Sequence, residues 1–225
     1  AFELSNMLTP DKIINPDLFE NKLKNLFEKS KHDDPRVRTY IALAMGKTQN
    51  SIFGADLMDA LSDKNKSVRI ASIKSLGILK YKNSSSKLNE IINNADNDSE
   101  KLAAIISIGA IGDDRYSDTL IKMLENEEAN LRWDAAIALL KMGNNKGVPT
   151  VEKLLKREYY SQFPSKNDGS GLDEEEVELS LITAINITTI FSDAAFQDEL
   201  LFLSKNDKSI KIREIALKTI DEYYK

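Results

Sequence analysis

Residues 37–46 read VRTYIALAMG, and residues 68–77 read VRIASIKSLG. Laid one above the other, the Val-Arg pairs coincide, and Arg38 and Arg69 each precede a glycine, Gly46 and Gly77, by eight positions. The copies are 31 residues apart. Lys101 and Gly109 repeat the spacing 32 residues later, and Arg132 follows after another 31, with Leu140 in the glycine place. Val177-Glu178 and Ile212-Arg213 are fainter copies. A fixed period of this length marks a solenoid, whose units bury their apolar faces against their neighbours.

Each copy reads as two helices. The first is short and amphipathic, with apolar residues at helical spacing: Leu23, Leu26 and Phe27; Leu57, Met58 and Leu61; Leu88, Ile91 and Ile92. Leu120, Ile121 and Leu124, then Val151, Leu154 and Leu155, then Leu200, Leu201 and Leu203 continue the series. A polar turn follows, in which Asp34, Asp63, Asp98 or Asp207 is expected to cap the next helix through its carboxylate. The second helix opens at the Val-Arg pair and is apolar on most sides, so it needs cover from several directions. Pro16 and Pro35 sit at first helical positions, where the missing N–H costs nothing. Gly112 and Gly143 fall where a helix end wants a left-handed residue.

Bulk properties restrict the function. With 41% hydrophobic and 30% charged residues in 225, the chain is globular rather than disordered. No apolar run reaches the roughly 20 residues that span a bilayer. The expectation is a soluble protein, the cytoplasm favoured; the chain opens at Ala1 without Met, which leaves export after removal of a leader open. The net charge of −5 argues against nucleic acid, whose binding rests on a basic footprint. Cysteine is absent and His32 is the only histidine, in the polar turn Lys31-His32-Asp33-Asp34. Thiol chemistry and a usual zinc site therefore lack their parts, a Ser-His-Asp triad would have to use His32, which reads as a solvated turn residue, and no cofactor is expected. Asp173-Glu174-Glu175-Glu176 reads as the favourable charge at a helix start rather than a cation site.

The pairs Val68-Arg69 and Leu76-Gly77, with Ala71 and the run Ile108-Gly109-Ala110-Ile111-Gly112-Asp113, resemble HEAT repeats. They are most similar to the short bacterial subtype also found in phycobilin lyases. The resemblance implies an all-α, right-handed α-α superhelix, a solenoid of about six hairpins. These cover approximately residues 16–48, 49–82, 83–112, 113–144, 145–192 and 193–225, within one domain spanning 1–225. It implies a concave face lined by the second helices and a scaffold or adaptor that holds a protein or peptide without catalysis. The alternative it raises is a phycobilin-lyase-like accessory enzyme or chaperone handling a tetrapyrrole and its acceptor protein. HEAT-like DNA glycosylases would ask Trp133 and Asp134 for aromatic and acidic roles, which the acidic balance disfavours. HEAT-like iron hydroxylases would need several histidines.

Three surfaces are candidates for the partner. Projecting the polar row Glu214 and Lys218 back through the repeat marks Ile70 and Lys74, Leu102 and Ile106, and Trp133 and Ile137. A hydrophobic groove on Trp133 is one reading, and packing between repeats the other. Charge is uneven: seven basic and no acidic residues from Lys64 to Lys87, nine acidic and no basic from Asn167 to Ser204. This bias either orients a charged partner or belongs to solvated faces. From Arg132 to Glu178 the copies are 46 residues apart instead of 31, an insertion around 158–172 that holds Tyr159, Tyr160 and Phe163. A loop this long either closes over a face or is disordered. The last hairpin, with Lys208, Lys211, Lys218, Asp221, Glu222 and Lys225, reads as a polar cap, and the oligomeric state stays open.

Overall fold

A computed structural model describes residues 16–30, 34–163 and 172–224, and its regular elements there are all helical. His32, Pro10, Pro164 and Lys225 lie outside the described residues, as does the stretch 164–171 of the insertion. The chain forms two compact units, residues 1–119 and 120–225.

The first unit contains α1 (Pro16–Lys29), α2 (Pro35–Lys47), α3 (Gly54–Asp59), α4 (Lys66–Ile78), α5 (Ser85–Asn94) and α6 (Asp98–Ile111). The division falls inside α7 (Ser117–Met123). In the first unit α2 packs on α4 and α4 on α6. The repeated glycine explains how closely. A Cβ on Gly46 would stand 2.9 Å from the Ser75 Cα, and one on Gly77 would stand 2.8 Å from the Ser107 Cα. The serines use that proximity: Ser75 Oγ donates to the Ala42 carbonyl at 2.8 Å, and Ser107 Oγ to the Ile73 carbonyl at 2.9 Å. A buried hydroxyl is thereby satisfied by the helix it touches. Gly112 and Gly143 have a different role, with φ of 73° and 78° in the left-handed region at or just past a helix end.

The second unit contains α8 (Ala129–Lys141), α9 (Val148–Leu154), α10 (Glu174–Ile190), α11 (Gln197–Asn206) and α12 (Ile210–Tyr223). Its core is built from Ala136, Leu140, Leu181, Ile185, Phe196, Leu200 and Ile212, all removed from solvent. On α12 the expected polar residues Lys211, Lys218, Asp221 and Glu222 are exposed, but so are Ile210 and Leu217.

The turn acids divide. Asp34 caps α2, accepting the Arg36 N–H at 2.8 Å ahead of Pro35. For the others the capping expectation is corrected. Asn65 caps α4 and Asn97 caps α6, with Asp98 already inside that helix. The N-cap position of α12 is Ser209, whose side chain makes no capping bond. Asp63 and Asp207 each stand two residues before the cap position, accept its N–H, and turn their carboxylates to an arginine instead. Asp173 behaves as its position suggests, forming a reciprocal capping box with Glu176.

Candidate functional site

The Val-Arg arginines are structural clamps. Arg38, 2% exposed, sends Nε and Nη2 to the Asp63 carboxylate at 2.8 and 3.1 Å and Nη1 to the Ser30 carbonyl. Arg69 sends Nε and Nη2 to one Glu100 oxygen, Oε1, at 3.1 and 2.5 Å and holds the Asp63 carbonyl at 2.9 Å. Each arginine thus secures the turn before its own helix and the acid of the next repeat. Arg132 keeps only the first half, with Nη1 on the Asn126 and Glu127 carbonyls at 2.6 and 2.7 Å. Among the described residues it forms no ion pair.

At the fifth repeat, where Glu178 replaces the arginine, Arg157 supplies the grip. It follows α9, in the short helical turn Arg157–Gln162. Its Nε and Nη2 meet both Asp207 oxygens at 2.8 Å, and its Nη1 reaches Glu174 at 2.6 Å. Burial by itself would raise the Asp207 carboxyl. The Arg157 hydrogen bonds, the Ser209 N–H and the nearby positive charges outweigh it and hold Asp207 below the usual carboxylate range. Sequence reasoning missed Arg157. The signal was the loss of arginine at 178 while its acid partner, Asp207, was kept.

The same turn brings the insertion aromatics onto Trp133. Its ring centroid lies 5.0 Å from Phe163, 5.8 Å from Tyr160 and 6.3 Å from Tyr159, with Phe163 nearly perpendicular at 87°. Edge-to-face geometry places a ring's positive rim on its neighbour's negative face. Tyr160 is 1% exposed and donates its hydroxyl to the Leu154 carbonyl at 2.6 Å. Burial pushes its phenol pKa up. The expectation that Tyr160 meets a partner is therefore corrected: it is core, because a large ring with a satisfied hydroxyl gains by leaving water. Tyr159 and Phe163 remain half-buried. The Trp133 indole N–H is shielded from water and has no acceptor among the described residues.

Trp133 and Phe163 line a cleft of about 500 Å³ with Leu172 and Leu179, on whose rim stand Glu127, Glu128 and Glu176, with Arg132 beside them. Leu179 is 65% exposed. Of the projected row, Lys74 and Ile106 are exposed and Ile70, Leu102, Trp133 and Ile137 half-buried, with Trp133 and Ile137 packed against the core of the second unit. In the basic stretch Arg69 is committed to Glu100 and Lys87 to Glu90, leaving Lys64, Lys66, Lys74, Lys80 and Lys82 exposed. Asp134, half-buried beside Trp133 in sequence, is pushed up to about 6 by burial, partly offset by the Lys141 charge. Among the described residues no three His, Cys, Asp or Glu side chains gather as metal ligands, and no helix is long and apolar enough to cross a membrane.

The profile of the HEAT repeats matches residues 22–109 and again 85–162. Among solved structures the chain is similar to the complex of CpcE and CpcF of phycocyanin lyase from Nostoc sp. PCC7120. The identity is 16% and the TM-score 0.57, covering 95% of this chain and 87% of that one. It is also similar to an archaeal HEAT-like repeats protein from Thermococcus onnurineus NA1, at 16% identity and a TM-score of 0.49, covering 90% and 87%. At such identities the likeness is one of fold. Among curated proteins none matches.

Proposed function

Since the chain belongs to the HEAT-repeat family, we propose that it is a non-catalytic scaffold that holds a protein or peptide on the open face of its second helices. The observation that carries this reading is the Trp133–Phe163 cleft. Four apolar side chains, Trp133, Phe163, Leu172 and Leu179, line a concavity in which Leu179 stays exposed. Aromatic residues beside an aliphatic floor are the usual anchors of a protein interface, with individual truncations costing about 2 kcal/mol or more. The half-buried pair Trp133 and Ile137 extends the same helix face, and in the first unit Ile70, Lys74, Leu102 and Ile106 offer a further stretch of open second-helix surface.

The test is retention of polypeptide from source lysate on the immobilised chain, beside a Leu179→Asp variant. Leu179 is chosen because its exposure lets the charge be added without disturbing the core. A defined polypeptide held by the wild type and lost from the variant is expected. If nothing is retained while a bilin binds and stays bound, the tetrapyrrole-handling reading replaces this one.

A further inference from the structure

Resting on the peptide-binding reading, we propose that the Trp133–Phe163 cleft is a receptor for a cationic side chain of the partner, an arginine or lysine with an apolar neighbour. The rings of Trp133 and Phe163 meet edge to face, 5.0 Å apart and 87° to one another, and both line the cleft. Aromatic faces attract a guanidinium or ammonium group within about 6 Å of the centroid, more strongly as water is displaced. The charges around the cleft agree. Among the described lining residues Glu127, Glu128 and Glu176 stand with one arginine, Arg132.

The carboxylates are also available. Glu127 and Glu128 are exposed and form no ion pair among the described residues. Glu176 accepts the Asp173 N–H of its capping box and forms no ion pair among the described residues. Arg132 is turned toward its own turn, with Nη1 on two backbone carbonyls. No lysine or arginine occurs between Asn167 and Ser204, so α10 brings no competing cation to the rim. Leu172 and Leu179 then offer the apolar residue beside the cation a surface to cover. The volume, about 500 Å³, falls within the range of sites that enclose a ligand group of this size.

The experiment is fluorescence anisotropy of short labelled peptides with the full chain. An alternating arginine–leucine peptide is compared with its glutamate–leucine and arginine–serine counterparts. The arginine–leucine peptide is expected to bind about tenfold tighter than either, the ratio shrinking as salt is raised. The triple variant Glu127→Gln, Glu128→Gln, Glu176→Gln and, separately, Leu179→Ser are each expected to lower its affinity about tenfold. Glutamine at 176 still accepts the Asp173 N–H, so α10 stays capped, and circular dichroism checks it.

The proposal is overturned by equal or tighter binding of the glutamate–leucine peptide, which would make Arg132 the contact. Binding that the variants leave unchanged, or no peptide binding at all, overturns it as well. So does binding that arises only once Ser165–Gly171 is deleted, which would assign the cleft to the chain's own segment. None of these results touches the scaffold reading, which stands or falls on the retention experiment.

Discussion

Arg157→Ala should destabilise the protein by about 3 kcal/mol, far more than the loss of a surface ion pair. The Asp207 side chain is 1% exposed, and Arg157, 18% exposed, is the arginine that meets both its oxygens. Removing one partner of a buried pair strands the other charge, at a cost of about 3–5 kcal/mol. The lower end applies here, because Asp207 keeps the Ser209 N–H at 2.9 Å and water can enter beside the truncated side chain. An exposed pair would lose about 1 kcal/mol or less. Urea denaturation with an unchanged slope separates the two. Adding Glu178→Arg to the variant restores the arginine that the fifth repeat lacks, in the position from which Arg38 and Arg69 grip their acids, and should recover most of the loss. The pH dependence gives a second reading. Asp207 titrates below its unfolded value, so its contribution is present above the unfolded pKa of about 3.9 and is lost as pH falls through the lower folded value. Arg157→Ala should flatten that acid limb. A loss below about 1 kcal/mol would refute the buried-pair argument, and failure of Glu178→Arg would refute the substitution of one arginine for another.

Two further outcomes test the packing and the charge. Gly77→Ala gains helix propensity of about 1 kcal/mol but drives a Cβ to 2.8 Å from the Ser107 backbone, so a net loss of about 1–2 kcal/mol is expected by thermal denaturation. Gly112→Ala meets nothing within 4 Å and should cost only the left-handed strain, about 1 kcal/mol; a stabilised Gly77→Ala would show that α4 and α6 can part freely. Asp134, raised to about 6 by burial, holds its proton in the folded state more tightly than in the unfolded one. Stability should therefore fall as pH rises from about 4 to 6 and then level. Asp134→Asn should remove that fall and stabilise the protein at neutral pH by roughly 2–3 kcal/mol, read from urea midpoints on both sides of the transition.

The helices, the repeat and the family were legible in the sequence, because a second helix that packs on its neighbours repeats its chemistry at every period. Arg38 and Arg69, with Gly46 and Gly77, mark its register, and Gly112 and Gly143 the left-handed helix ends, while the arginine clamp and the close approach of helices at the glycines came only with the structure. Helical spacing decides which positions of the row projected from Glu214 and Lys218 share a face, but not how far each is buried: Lys74 and Ile106 are exposed, whereas Trp133 and Ile137 pack against the core. What lies outside the period was not legible. Asp63 and Asp207 look like caps in sequence, yet their carboxylates answer an arginine 25 and 50 residues away. Tyr160 reads like Tyr159 and Phe163, but only the packing of its turn against Trp133 puts it in the core, leaves Tyr159 half-buried and sets Phe163 on the wall of a cleft. Arg157 carries no motif at all. Repetition writes local geometry into the chain once per repeat, whereas an insertion has no second copy to compare. The roles of its residues are set by whichever buried charge and aromatic surface the tertiary fold brings within reach.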